Sequence, residues 1–287
     1  STPKPSSAAS DVYKRQDLYT YDFDSYTYQQ AVSGYDAEGL LTSAVAYVTS
    51  ENTSPVYRLE GHGEQTLEQA FSDGMKKENV ALETLTLLTA DGVPENASGV
   101  MLLSPTSDLN EDDAQKLIDY LNRGGRILIT TSYTEHFSEE MPNLTKVLDY
   151  FGISIGDGLI VETDQDMMYQ SPLYLLPEVE ADGLTAGVFG KTYDFIMMPY
   201  TQPILIKETE GVTVTPLLST SQGAYSKTGL NDSGDTKKAE GDLEGPFAVG
   251  VRAQKALDSE KTAELIVYSS DTVSYTHLRA HETAANL

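Results

Sequence analysis

The 287-residue chain has no cysteine and no tryptophan, and its 19 basic residues face 44 acidic ones, for a formal net charge of −25. The absence of cysteine excludes disulfides, zinc–thiolate sites, iron–sulfur clusters and cysteine nucleophiles. The acidic excess argues against nucleic acid as a partner, because phosphates would be repelled and no basic stripe compensates. No apolar run approaches the roughly 20 residues that a membrane-spanning helix needs. The 39% of hydrophobic residues still suffices for a folded globular domain.

The two ends of the sequence do not read as native protein. Residues 6–16 (SSAASDVYKRQ) and 273–283 (VSYTHLRAHET) match in-frame translations of the two adapters used in transposase-based sequencing. We therefore expect residues 1–16 and 273–287 to be adapter-derived and the native part to be a single α/β domain over residues 17–272. The flanking segments of the parent protein are then missing from this fragment.

Short apolar runs alternate with amphipathic segments in the first half of the native part. Strands are predicted at residues 56–59, 82–88, 99–103 and 126–131. Helical stripes predict helices over residues 37–50, 66–77, 110–121 and 144–151. Asn110 can cap the third of these helices, which has acidic residues in its first turn. This order predicts a largely parallel sheet flanked by helices, the α/β fold class.

The second half of the native part is rich in strand-like segments, with proline and glycine between them. Residues 247–251 and 263–268 predict a hairpin that returns to the sheet. Residues 226–245 are polar and rich in glycine, aspartate and lysine, which favours a flexible loop. The expected architecture is therefore an α/β fold with a β-rich second half.

The most informative motif is Gly61-His62-Gly63-Glu64, between a predicted strand and a predicted helix. Ligands of open α/β sheets bind at this position, where glycines allow close approach and a helix N-terminus offers N–H groups to an anion. His62 could shuttle a proton or bind a metal, with Glu64 orienting it. The alternative is a tight βα turn, in which His62 packs on the sheet and Glu64 favours the helix N-terminus. These four residues are candidate ligand-binding residues only, and the sequence assigns no catalytic residue, metal ligand or cofactor.

Three further polar features have both a functional and an ordinary interpretation. Ser104 follows a buried strand, as a nucleophile would, or forms the turn into the next helix. His136 lies in an acidic loop that could hold a cation weakly or simply be solvated. The alternating acidic residues of segment 162–166 favour a polar surface turn. No G-x-S-x-G elbow, Walker loop, G-x-G-x-x-G or H-E-x-x-H motif occurs.

Three segments together resemble the GldG-like family: SPVYRLEGHGE, VPENASGVMLLSPTSDLNEDDAQKLIDYLNRGGRILIT and MPNLTKVLDYFGISIGDGLIVE. The resemblance covers about residues 37–177, and more loosely extends to residue 272. Members are auxiliary, extracytoplasmic components of uncharacterised ABC transport systems, named after a gliding-motility protein. The resemblance implies a flavodoxin-like or class I amidotransferase-like fold that lacks the amidotransferase nucleophile. It also implies membrane anchors in the absent flanking segments, an ABC permease and an ATPase as partners, and location in the cell membrane.

We therefore expect the extracytoplasmic soluble domain of a membrane-anchored ABC auxiliary protein, non-enzymatic and mediating protein or substrate contacts. Two alternatives remain open. One is a cell-envelope hydrolase with His62 as base and Glu64 as its orienter, which requires His62 to point at a ligand-sized space. The other is a carbohydrate-binding module that uses some of the 18 tyrosines. Local hydrogen bonds that hold His62 would favour the non-enzymatic interpretation.

Overall fold

The computed structural model describes residues 54–67, 72, 76, 80–180, 196–230, 236–258 and 261–271, and the backbone of 19–24 and 29–35. The chain divides into two compact units. The smaller unit, Ser1–Pro55 and Gln69–Leu82, contains an antiparallel hairpin of β1 (Tyr19–Asp24) and β2 (Gln29–Tyr35). The larger unit is Val56–Glu68 and Glu83–Leu287. The ends that we expect to be adapter-derived, residues 1–16 and 273–287, lie outside the described residues, and the single domain over 17–272 stays a prediction.

The described helices are α1 (Glu111–Asn122), α2 (Phe137–Glu140) and α3 (Pro142–Asp149). The strands that follow β2 up to residue 161 are β3 (Val56–Leu59), β4 (Leu82–Leu85), β5 (Gly99–Leu103), β6 (Arg126–Thr130), β7 (Ile153–Ile155) and β8 (Leu159–Val161). The later strands are β9 (Met168–Tyr169), β10 (Ser171–Leu175), β11 (Glu178–Val179), β12 (Met198–Pro199), β13 (Ile204–Ile206), β14 (Val212–Ser219), β15 (Tyr225–Lys227), β16 (Leu243–Glu244), β17 (Ala248–Ala256) and β18 (Thr262–Tyr268).

The central sheet has ten strands and a parallel core. Its main path is β11-β14-β17-β18-β6-β5-β3-β4, with β13 paired to β17 and to β7. Strands β18, β6, β5 and β3 pair in parallel, whereas β11, β14, β17 and β13 extend the sheet by antiparallel pairing. The predicted α/β class, a parallel sheet with a β-rich remainder, is confirmed. The predicted helix over residues 37–50 and most of that over 66–77 lie outside the described residues.

Local sequence signals explain why α1 lies where it does. The side chain of Asn110 accepts a hydrogen bond from the backbone N–H of Asp113, so Asn110 is the predicted N-cap. Leu117 and Leu121 of α1 are fully buried in the main hydrophobic core, together with Ile129 of the neighbouring strand β6. The apolar stripe therefore packs the helix against the parallel core of the sheet.

The final hairpin forms as predicted, whereas the strand predicted over residues 82–88 is shorter than expected. Strands β17 and β18 pair over seven residues, and β18 then pairs in parallel with β6. The predicted strand over 82–88 ends at Leu85, because the chain turns where the Thr86 carbonyl accepts the N–H groups of Thr89 and Ala90. The described part of segment 226–245, predicted as a flexible loop, includes β16, which pairs with β15 in a small sheet that also contains β8.

Candidate functional site

The Gly61–Glu64 motif follows β3 at the carboxyl edge of the parallel core, as the sequence predicts. It lies against the turn that follows the neighbouring parallel strand β5. The carbonyl oxygen of His62 accepts hydrogen bonds from the backbone N–H groups of Thr106 and Ser107, at 3.0 and 3.1 Å. The N–H of Gln65 donates to the Leu103 carbonyl at 2.8 Å. Backbone hydrogen bonds therefore join the ends of the two strands on both sides of the motif.

The backbone of the motif requires glycine at position 63. Gly63 has a φ of +72°, in the left-handed region that residues with a Cβ rarely adopt. A Cβ at this position would also lie only 2.0 Å from the hydroxyl oxygen of Thr106. The close approach of the two turns therefore depends on the missing side chain.

The Glu64 carboxylate folds back onto its own turn. One oxygen accepts the backbone N–H groups of Gly61 and His62, at 2.9 and 2.8 Å. The other oxygen lies 3.1 Å from Nδ1 of His62. Only 2% of this side chain is exposed. Glu64 thus holds both the loop backbone and one nitrogen of the imidazole.

The second nitrogen of His62 faces a carboxylate that sequence reasoning missed. Nε2 lies 3.1 Å from Oδ2 of Asp113, which is fully buried in the first turn of α1. The same Oδ2 accepts a hydrogen bond from Nδ2 of Asn110 at 2.9 Å, and Lys116 Nζ lies 3.5 Å from Oδ1. From the sequence alone, Asp113 is one of three acidic residues in the first turn of a helix, where negative charge is favoured. The available signal was its position on the buried stripe, four residues before Leu117.

These contacts favour the charged forms of His62 and Glu64. The hydrogen bond with Glu64 is the main reason why the pKa of His62 lies above its ordinary value of 6.5, and burial works against this shift. The negative charges of Glu64 and Asp113 also raise it. For Glu64, burial is the largest influence and favours the neutral acid, yet bonds from His62 and from backbone N–H groups hold its pKa below 4.5. His62 therefore bridges two buried carboxylates, and both favour its protonated form.

This arrangement limits what the His62 ring can do chemically. A general base needs a ring nitrogen with a free lone pair that faces the substrate. Both ring nitrogens of His62 are within hydrogen-bonding distance of carboxylates, and only 4% of the residue is exposed. A cavity of about 610 Å³ lies in the described part of the chain. Its lining residues fall between positions 178 and 248, so the Gly61–Glu64 motif does not line it.

The other polar candidates have contacts of their own. Ser104 is fully buried, and its Oγ lies 2.8 Å from Oγ1 of Thr130, so it forms the turn after β5 and does not face solvent. His136 is exposed, with Nδ1 at 3.7 Å from Oδ2 of Asp157. Within the described ranges, no group of three or more acidic or histidine side chains is arranged to hold a metal ion.

The prediction of a polar surface turn is wrong for Glu162, because this residue is buried. Glu162 is only 2% exposed. Its carboxylate accepts backbone N–H groups from Thr163, Asp164 and Ser221, at 2.7 to 3.1 Å, and the Ser221 hydroxyl also donates to it. A buried carboxylate that receives several N–H groups is satisfied without a counter-ion. Glu162 therefore ties the turn after β8 to the segment after β14.

Comparison with known proteins identifies the family. A family model described as an ABC-type uncharacterized transport system, of the ABC-transporter auxiliary kind, matches residues 42–274. The chain belongs to this family. It is thus an auxiliary component of an ABC-type transport system, and the expected GldG-like resemblance is confirmed. Membership implies association with transporter components and with a membrane, although no helix in the described part of the chain is long and apolar enough to cross one.

The solved structures that resemble this ABC auxiliary chain have low sequence identity to it, and one has a TM-score above 0.5. The structure titled "mmIFT52 N-terminal domain" has a TM-score of 0.54 and 14% identity, over 77% of this chain and 88% of that one. A glutamine amido transferase from Methylobacillus flagellatus has a TM-score of 0.36 and 12% identity, over 58% and 61%. An alpha-L-fucosidase from Paenibacillus thiaminolyticus has a TM-score of 0.35 and 13% identity, over 82% and 32%. No curated protein matches the chain.

Proposed function

We propose that this chain is the extracytoplasmic, non-enzymatic part of a membrane-anchored ABC auxiliary protein. It contacts the permease, a substrate or another envelope component, within a system that also includes an ATPase subunit. Family membership supports the assignment to a transport system. The observation that carries the non-enzymatic role is the position of the His62 ring between Glu64 and Asp113.

The physical reason is the cost of freeing the ring. To act as a base, His62 would have to lose a proton that two buried carboxylates stabilise, and to turn a nitrogen away from one of them. The freed carboxylate would then remain buried and would lose its contact with the imidazole, which is unfavourable. A role in joining the β3 turn to α1 uses the ring as it stands.

Sidedness can be tested because the chain contains no cysteine. Ser138 is exposed on α2, so Ser138→Cys introduces a single accessible thiol. We expect a membrane-impermeant maleimide to label this variant of the full-length parent protein in intact cells. Labelling only after the cells are lysed would contradict the extracytoplasmic location. The fully buried Ala263→Cys is the matched control and should stay unlabelled in both preparations.

The partner role is tested by co-purification. We expect the tagged full-length protein to recover the permease and ATPase encoded beside it from detergent-solubilised membranes. Recovery of the tagged protein alone would argue against the transport-auxiliary contact. A hydrolysis of envelope sugar or peptide that wild type performs and His62→Gln does not would contradict the non-enzymatic role.

One observation favours a second candidate function, carbohydrate binding. The rings of Tyr174 and Tyr200 meet edge to face with centroids 5.5 Å apart, and half of Tyr200 is exposed. Tyr200 also has a φ of +50°, an unfavourable conformation for a residue with a Cβ. Aromatic faces with a polar tip suit contact with sugar rings. Binding to a glycan array that Tyr200→Ala abolishes and Tyr133→Ala preserves would support this candidate.

A further inference from the structure

An open groove of about 610 Å³ lies on the antiparallel part of the larger unit. Strand β13 and the segment from Pro246 to Ala248 form part of its lining, together with residues of β11 and β14. The volume falls within the roughly 300–1,000 Å³ typical of ligand clefts. The groove is separate from the His62 cluster, and no motif in the sequence pointed to it.

Both exposed and nearly buried apolar residues line the groove. Leu205 and Ile206 of β13 are 38% and 46% exposed, although they are among the most apolar side chains of the chain. Phe247, also in the lining, is nearly buried, and Pro216 and Pro246 add further apolar surface. The groove therefore presents apolar side chains beside polar ones to any molecule that enters it.

The charged groups of the groove all have one sign. Among the described residues that line it, the charged side chains are Glu178, Glu180 and Glu244, and none is basic. Glu244 forms an ion pair with Lys238 at 2.6 Å, so its charge is partly compensated. Glu178 and Glu180, both exposed, stand two residues apart at β11. Such a rim attracts cationic groups and repels acidic ones.

We propose that this groove binds an extended polypeptide segment of a partner protein, one that alternates apolar and basic side chains. Successive side chains of an extended segment point to opposite sides, so one set can lie against Ile206 and Phe247 while the other reaches Glu178 and Glu180. The proposal rests on the contact function proposed above and adds the surface and the chemistry of the partner. The net charge of −25 also favours a basic partner over an acidic one.

The test uses a fluorescein-labelled octapeptide of alternating leucine and arginine, with binding followed by anisotropy at two salt concentrations. Two further octapeptides, one of alternating serine and arginine and one of alternating leucine and glutamate, separate the apolar contribution from the charge contribution. The variant Glu178→Gln/Glu180→Gln removes the carboxylates of the groove. The matched control Glu139→Gln/Glu140→Gln removes two exposed carboxylates from α2, with the same change in net charge.

We expect the leucine–arginine peptide to bind wild type and the control variant equally. The groove variant should bind at least about tenfold more weakly, or about 1.4 kcal/mol. Ile206→Ser should weaken binding by a similar factor, and urea unfolding checks that each variant remains folded. Equal weakening by both double variants would show attraction to the overall charge and would overturn the proposal. Equal binding of the serine–arginine peptide, or no binding of the leucine–arginine peptide, would overturn it as well.

The same variants separate this proposal from the proposed function. If Glu178→Gln/Glu180→Gln still recovers the permease and ATPase as wild type does, the groove is not the contact surface and the transport role stands. If wild type itself recovers neither subunit, the contact function fails whatever the peptide shows.

Discussion

The His62 cluster and the groove at β13 place carboxylates in opposite surroundings. At the cluster, Glu64 and Asp113 are buried and share one imidazole. At the groove, Glu178 and Glu180 face solvent beside exposed apolar side chains. Burial makes a charge dependent on its internal partners, whereas an exposed charge can also interact with another molecule. The comparison therefore separates the acidic groups that hold this fold together from those suited to recognition.

The largest effect should come from removing the centre of the cluster. His62→Ala removes the imidazole that two buried carboxylates share, although Glu64 keeps its backbone N–H donors and Asp113 keeps Asn110 and Lys116. We expect the free energy of unfolding to fall by about 3 kcal/mol. Urea unfolding at neutral pH measures this loss. His136→Ala, at an exposed histidine, should change the value by less than about 0.5 kcal/mol. A loss in His62→Ala no larger than that in the control would remove the basis for calling the cluster structural.

Gly63→Ala should have the next largest effect, because it forces a Cβ into a left-handed backbone and toward Thr106. We expect a loss of about 1–3 kcal/mol in the free energy of unfolding. Gly229→Ala has a similar φ of +64° but open space around it, so it measures the backbone strain alone. Gly92→Ala, with neither constraint, should be close to neutral. If the first two variants lost the same amount, the close contact with Thr106 would not matter.

The cluster should also make stability depend on pH in both directions. His62 keeps its proton to a higher pH in the folded state, so its stabilisation is complete below 6.5 and is lost as pH rises through the raised pKa. Glu64 stays ionised to a lower pH, so its stabilisation is complete above 4.5 and is lost as pH falls through the lowered pKa. The stabilisation from these two groups should be greatest between the two values. Urea midpoints across pH for wild type and His62→Gln measure it, and parallel curves would contradict this origin.

Asn110→Ala should weaken the support of the cluster from α1 by a smaller amount. The substitution removes the N-cap and the hydrogen bond to Oδ2 of Asp113, while the His62 contact remains. We expect a loss of about 1 kcal/mol in the free energy of unfolding. Gln115→Ala, at an exposed position of the same helix, is the control and should lose less than half as much.

The smallest effect is expected at the groove. Ile206 is nearly half exposed, so Ile206→Ser should change the free energy of unfolding by less than about 0.5 kcal/mol. Ile204→Ser, two residues earlier and almost fully buried, is the contrasting control and should be clearly destabilising. A large loss in Ile206→Ser would assign this side chain to the core and would weaken the contrast between the two regions.

Local patterns were enough to predict the elements and the position of the motif. The buried run at Gly99–Leu103, the cap at Asn110 and the final hairpin were all predictable from the sequence, because apolar periodicity, capping and hairpin pairing involve residues near one another in the chain. Strand ends and the sheet that receives each strand were less predictable. Strand β8, for example, pairs with β15, which lies more than sixty residues further along the chain.

The sequence by itself determined the α/β alternation, the acidic character, the lack of thiol chemistry and the place of Gly61–Glu64 at the end of a strand. Only the tertiary structure decided that Asp113, 51 residues away, completes the environment of His62. It also decided that Glu162 is buried and that β11, β13 and β17 contribute to one groove. The physical reason is that burial and hydrogen-bond partners depend on which distant segments pack together, and short-range periodicity carries no record of that choice.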